Sequence, residues 1–347
     1  MEKYTKPRSR SWRERSYLLV LSDKSLLLGD KNLLAFSAGV DSSALFYLLI
    51  ENKIPFDIAI VDYGIRAQSK EEIVHAKSLA KKYTLKCYSK KAPIFKSNFE
   101  QNAREFRYRF FESLVNKHDY DNLLTAHQLN DQLEWLFMRL TKGAGVSELI
   151  GFKSTVQKDN YTLLRPLLEY SKDELLHYLH KNNYSYFIDE SNTDEKHERN
   201  RFRKEFSDPL MQKYKDGIRR SFEYLKNDKE EIESTFETSC SHKELIVIKL
   251  QTISAKARAA DIALKKLGYL LSAKQRKEIE KENSLVIGGI WTVEVQGDLL
   301  YIAPYIETDM PKKFKELCRV NKIPNKIRPY LFQHNIDLEN IAINFHY

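Results

Sequence analysis

The chain has 347 residues, 42% hydrophobic and 30% charged, enough for one large domain plus one or two small ones with buried cores. Lys and Arg number 57 against 48 Asp and Glu, and the resulting formal charge of +9 favours a polyanionic partner such as nucleic acid. The three cysteines, Cys87, Cys240 and Cys318, include no CxxC pair, which excludes the usual zinc and iron–sulfur patterns and suits a reducing cytoplasm.

The N-terminal stretch is polar and basic, with Arg8, Arg10, Arg13 and Arg15. The apolar run over 17–28 is broken by Asp23 and Lys24; it is too short and too polar for a span, so no membrane association is expected. Short apolar strands and longer helices then alternate. The pattern predicts a strand over 33–36, a helix over 42–51, a strand over 56–61 and a helix over 69–82. It continues with a strand over 85–88, a helix over 100–116, a strand over 122–126 and a helix over 129–140. Such alternation implies βαβ units, hence an α/β fold with a parallel, Rossmann-like sheet whose ligands lie beyond the carboxyl ends of the strands. Past residue 210 the character changes. A long charged helix over 211–235, a Leu/Ile/Val-rich stretch over 244–250, a helix over 255–271 and a strand-like end over 285–303 read as a small α+β module. The expected organisation is a basic N-terminal segment and helix (1–28), a catalytic domain (29–210), a helical linker with the α+β module (211–305), and a C-terminal tail (306–347).

The most specific segment is Ser37-Ala38-Gly39-Val40-Asp41-Ser42, directly after the first strand and opening a helix. Small residues let the backbone wrap a phosphate, and the free N–H groups of the helix start point at it. Ser37 and Ser42 add hydroxyl donors, and Gly39 is expected to take a φ that a side chain would forbid. Asp41 would repel phosphates unless a divalent cation such as Mg²⁺ lies between them. No GxxxxGK[ST] occurs, so the turn is not a Walker site. After the fourth strand, His127, Asp131 and Glu134 stand at helical spacing, which brings an imidazole and two carboxylates to the same sheet edge. Further on, Arg199, Arg201 and Arg203 offer guanidinium forks that match phosphate oxygens.

The hexapeptide resembles the SGGxDS loop of PP-loop (N-type) ATP pyrophosphatases, with Ala38 where that family usually has glycine. The run from Thr125 to Glu134 resembles the AHxxDDxxET signature of the lysidine synthetase family, with Asn130 for the first aspartate and Trp135 for the threonine. Lys142-Gly143-Ala144-Gly145 is similar to that family's RGSG, and Val61-Asp62-Tyr63-Gly64-Ile65-Arg66 to its VDHGLR, with Tyr63 for histidine. Arg104 with Arg107-Tyr108 resembles AR..RY, Arg165-Pro166-Leu167-Leu168 resembles RPLL, Asp189-Glu190-Ser191-Asn192 resembles ED.SN, and Arg199 to Arg203 resembles RNxxR. The C-terminal matches are looser. Ala257-Arg258-Ala259 looks like the start of the family's small central module. Lys322 to Arg328 looks like the KIPxWxR element, without its Trp, of a tRNA-gripping domain that is expected to be abbreviated here.

The resemblance implies a two-step ligase. ATP activates the C2 oxygen of the wobble cytidine in tRNA(Ile) with a CAU anticodon and releases pyrophosphate; the ε-amine of free L-lysine then displaces AMP. It implies that Ser37, Ala38, Gly39, Val40, Asp41 and Ser42 hold ATP, with Asp41 on Mg²⁺, and that His127 faces the α-phosphate. Asp131 and Glu134 would grip the lysine, Asp131 taking its proton, and Arg199 or Arg203 would steady the adenylate. A homodimer is compatible with the sequence. The alternatives are another PP-loop enzyme, such as a tRNA thiolase or an amidating ligase, and a non-catalytic tRNA-binding relative.

Overall fold

The computed structural model describes residues 19–22, 24–64, 68–95, 97–188 and 198–338. The N-terminal arginines Arg8, Arg10, Arg13 and Arg15, the pair Ile65-Arg66, the 189–192 motif and the tail from 339 lie outside the described residues. The chain divides into two compact units, Met1–Lys226 and Asn227–Tyr347.

In the first unit, β1 (Asn32–Ala35), β2 (Phe56–Asp62), β3 (Cys87–Lys91), β4 (Asn122–Leu124), β5 (Thr155–Gln157) and β6 (Thr162–Leu164) form one sheet in the order β3-β2-β1-β4-β6-β5. All neighbours run parallel except β5 against β6, so the α/β architecture is the expected one. Helices Val40–Glu51, Gln68–Lys82, Phe99–His118 and Leu129–Leu140 bridge the parallel strands. Side chains alternate along a strand, so adjacent leucines part company. Leu34, Leu124 and Leu164 enter a core with Phe46, Leu48 and Leu175, whereas Leu33, Leu123 and Leu163 enter another with Phe110, Phe111 and Leu114. Strand β3 begins two residues later than the sequence pattern suggests. The Leu85 N–H still closes the preceding helix on Ala80 O, and pairing starts at Cys87 opposite Ile58. Strand order reverses between β1 and β4, and ligands of open α/β sheets sit in the crevice beyond the carboxyl ends at such a point.

The second unit holds β7 (Phe236–His242), β8 (Leu245–Leu250), β9 (Ser284–Ile287), β10 (Trp291–Gln296) and β11 (Leu299–Pro304), all antiparallel, in the order β7-β8-β11-β10-β9. The strand-like end over 285–303 therefore resolves into three strands, separated by turns whose Gly288, Gly289 and Gly297 take φ of 60°, 71° and 63°. One sheet face, through Ile246 and Ile248, packs on helices Lys256–Lys266 and Ala273–Lys281. The other, through Leu245 and Val247, packs on Cys318, Ile323, Ile327, Tyr330 and Leu331. The segment after 306 thus forms part of a core with β8 and β11. Buried Glu294 pins its 322–328 turn, accepting Lys326 N–H at 2.8 Å and the Ser284 hydroxyl at 2.6 Å. Among the described residues no helix is long and apolar enough to cross a membrane.

Candidate active site

The chain leaves β1 at Ala35 and enters the helix Val40–Glu51 through Gly39, which as N-cap supplies no side-chain hydrogen bond. The first N–H groups of that helix keep their anion-binding capacity. Ser42 braces the turn from inside: its Oγ accepts Ser37 N–H at 3.2 Å, lies 3.1 Å from Ser37 Oγ and donates to Gly39 O at 3.2 Å. One expectation is corrected here. Gly39 is ordinary extended backbone (φ −75°, ψ 173°), and the left-handed residue is Ala38 (φ 60°). A non-glycine residue there costs about 1 kcal/mol. Two donors to the Ala38 carbonyl, Phe187 N–H at 2.8 Å and the Ser43 hydroxyl at 3.2 Å, hold it in place. Ala38→Gly is accordingly expected to fold with a melting temperature within a few degrees of the wild type. Ala38→Val, β-branched in the left-handed region and fully buried, is expected to lose about 2 kcal/mol or more. Thermal melts of the pair check this; equal losses would contradict it.

Beyond β4, the helix Leu129–Leu140 starts at an N-cap, Gln128, whose Oε1 accepts Asn130 N–H at 2.6 Å, while Asp131 Oδ2 accepts Gln128 N–H at 3.0 Å. His127 therefore precedes the helix and shares no helical face with Asp131; the strand-to-helix turn presents it instead. Its Nδ1 lies 3.0 Å from Thr125 Oγ1, and its ring centroid is 5.0 Å from that of Phe152. Burial, followed by the charges of Arg165, Arg199, Arg104 and Arg107, pushes its pKa down to about 3, so the imidazole is neutral at pH 7. Trp135, the residue in the threonine position, supports Phe152 at 5.9 Å and donates Nε1–H to Glu148 O at 2.9 Å. It packs where a Cβ on Gly151 would come within 2.2 Å of Nε1, which is why that position is glycine.

The two segments meet. Ser37, Asp41 and Ser42 share a cavity of about 210 Å³ with His127, Asp131, Arg107 and Arg199. Asp41 Oδ1 is buried there without a hydrogen-bond partner, and burial, then the Asp131 charge, raises the Asp41 pKa to about 7. An orphaned carboxylate oxygen beside a phosphate turn fits a Mg²⁺ ion that completes its shell with phosphate oxygens and water. Among the described residues no group of three or more His, Cys, Asp or Glu forms a ready metal cage.

Asp131 and Glu134 are both engaged. Glu134, 1% exposed, accepts Arg199 Nε–H at 2.7 Å, Arg203 Nε–H at 2.6 Å and Arg203 Nη2–H at 3.1 Å; Asp131 Oδ1 accepts Arg199 Nη2–H. The acids expected to grip an amine thus hold the arginines expected to grip a phosphate. Arg201 is exposed. A second, small polar cavity of about 70 Å³ is bordered by Asp41, Asp131, Glu134 and Asp208 together with Lys172 and Arg203. Asn130, in the place of the first aspartate, accepts Lys172 N–H at 3.2 Å and donates to Asp208 at 3.4 Å. Arg107 and Tyr108 carry a sequence signal in their motif, but nothing local marks Lys172 or Asp208 among the charged residues at the starts of helices Lys172–Lys181 and Asp208–Ser234.

A family model described as PP-loop domain matches residues 15–210. The chain is 44% identical over 320 residues to tRNA(Ile)-lysidine synthase of Campylobacter jejuni (strain RM1221), an alignment spanning 92% of this chain and 97% of the relative. It is 41% identical over 330 residues to the protein of the same name from Wolinella succinogenes, spanning 92% and 98%. For Helicobacter pylori (strain 26695) the identity is 42% over 306 residues, spanning 87% and 89%.

Proposed function

The chain belongs to the tRNA(Ile)-lysidine synthase family of PP-loop enzymes, and from that premise we propose how its site uses ATP to join L-lysine to the wobble cytidine of tRNA(Ile). One observation carries the reading: the turn after β1 and the His127 and Asp131 side chains after β4 line a single cavity at the sheet's switch point.

In the proposed first step the cytidine C2 oxygen attacks the α-phosphorus of ATP and pyrophosphate leaves. The N–H groups opening the helix Val40–Glu51 and the hydroxyls of Ser37 and Ser42 receive the phosphates. Asp41 would hold Mg²⁺, which neutralises charge on the departing pyrophosphate. In the tautomer whose Nδ1 accepts from the Thr125 hydroxyl, neutral His127 would present Nε2–H to the α-phosphate, and Arg199, anchored on Asp131 and Glu134, faces the same cavity. In the second step the lysine ε-amine attacks C2 and AMP leaves with the oxygen. At a pKa of about 10.4 the amine pays roughly 4–5 kcal/mol to be neutral at pH 7. The small cavity, with four carboxylates against Lys172 and Arg203, suits its ammonium, and Asp131 is the acceptor for its proton. Asp208, which borders the same small cavity, joins Asp131 and Glu134 as a carboxylate for the amine. A homodimer is compatible with this arrangement. The enzyme would work where these substrates are, in the cytoplasm.

The test is incubation with ATP, radiolabelled lysine and tRNA(Ile) bearing CAU, with label expected in the tRNA. ATP turnover without label would favour another PP-loop reaction, and neither signal a non-catalytic relative. Asp131→Asn separates the steps, because asparagine can still accept Gln128 N–H and Glu134 still holds Arg199. Adenylate formation is expected within about tenfold of wild type and lysine transfer at least about 100-fold slower. Normal lysine transfer would remove Asp131 from the role.

A further inference from the structure

Next to the cavity the same sheet edge carries a feature that the adenylation chemistry does not use. Beyond β2 and around the start of the helix Phe99–His118, Tyr63, Phe95, Phe99 and Phe106 form a chain of rings. Centroid separations are 6.0 Å for Tyr63–Phe99, 5.9 Å for Phe95–Phe99 and 6.2 Å for Phe95–Phe106. Aromatic clusters are usually core, but this one reaches the surface: Phe99 is 40% and Ile94 94% exposed. Positive charge accompanies it. Lys90 Nζ lies 5.4 Å from the Phe106 ring, and Lys91 and Arg104 are exposed nearby in sequence, with Glu100 and Glu105 as the acidic neighbours on the helix. The chain of rings is continuous with the cavity, because the Tyr63 hydroxyl donates to Ala103 O at 3.3 Å and lies beside Arg107, which lines it.

We propose that this ledge binds the unpaired nucleotides flanking the base delivered to the cavity, with the Phe99 ring as the stacking platform, Ile94 as its apolar flank, and Lys90, Lys91 and Arg104 towards the phosphates. The inference rests on the reading of the cavity as the seat of a tRNA base. A base drawn into the cavity leaves its loop neighbours without a stacking partner, and an exposed aromatic face beside lysine and arginine side chains replaces that partner for single-stranded RNA irrespective of sequence. A purely apolar partner would have no use for the basic residues that border the platform.

The experiment measures binding of an anticodon stem-loop RNA by fluorescence anisotropy, and KM for full-length tRNA and for ATP, in Phe99→Ala, Ile94→Ala/Phe99→Ala and Phe99→Trp. Phe99→Ala is expected to weaken stem-loop binding about tenfold and to raise the tRNA KM in parallel, the double variant more so. KM for ATP should stay within about twofold, and Phe99→Trp should restore binding, which a merely structural role for Phe99 would not produce. Stem-loop binding insensitive to Phe99, or a rise confined to the ATP KM, overturns the ledge. The two readings fail separately: wild-type protein that labels no tRNA while its stem-loop binding still depends on Phe99 sinks the reaction alone, whereas normal labelling with Phe99-independent binding sinks the ledge alone.

Discussion

Glu134→Gln is expected to lower folding stability by about 3 kcal/mol, the largest effect of any single change at this site. Glu134 is 1% exposed and holds two guanidiniums, so its loss removes the buried carboxylate charge that both arginines share in a partly dry site. Breaking a buried pair costs about 3–5 kcal/mol, and the lower end applies because Asp131 still holds Arg199 and the two arginines keep 33% and 20% of their side-chain surface in solvent. Urea unfolding of variant and wild type measures it. A difference below about 1 kcal/mol would mean that the arginines simply turn to water and that Glu134 does not hold them in register. ATP-dependent activity is expected to fall with it, because Glu134 holds the Nε–H of Arg199, and Arg199 lines the cavity.

The second large effect depends on pH. His127 has a folded pKa of about 3, against 6.5 for an unperturbed histidine. Above pH 6.5 the ring is neutral in both folded and unfolded chains, and its contribution to stability is fully present. As pH falls from 6.5 towards 3 the unfolded chain takes up a proton that the folded chain refuses, so stability is lost at roughly 1.4 kcal/mol per pH unit. At pH 5 the loss amounts to about 2 kcal/mol. His127→Gln has no proton to refuse. Relative to that variant, the wild type should therefore lose about 2 kcal/mol between pH 8 and pH 5. Parallel stability curves for the two proteins would show that the imidazole is accessible and charged, and unsuited to meet a phosphate as a neutral donor.

The two halves of the site were legible to different degrees. The turn from Ser37 to Ser42 announces itself, because small residues and hydroxyls between an apolar strand and a helix form a purely local pattern. The carboxylates after β4 are equally visible as residues, but their partners are not. Glu134 meets Arg199 and Arg203 across 65 and 69 positions, and Asn130 meets Asp208 across 78. The β5–β6 hairpin escaped the strand pattern as well, since strands of three residues show no full alternation.

From its order of apolar runs and turns the sequence alone determined an α/β sheet, the strand ends that meet at the candidate site, and a second α+β module. These depend on side-chain periodicity and backbone preference, which neighbouring residues set among themselves. Tertiary structure alone decided that Ala38, and not Gly39, takes the left-handed turn, held by Phe187 from far along the chain. It alone paired the acids with arginines, lowered the His127 pKa by burial, and built the 312–333 helices into a core with β8 and β11. Such outcomes follow from burial and electrostatics among residues distant in sequence, and those forces act only once the chain has closed on itself.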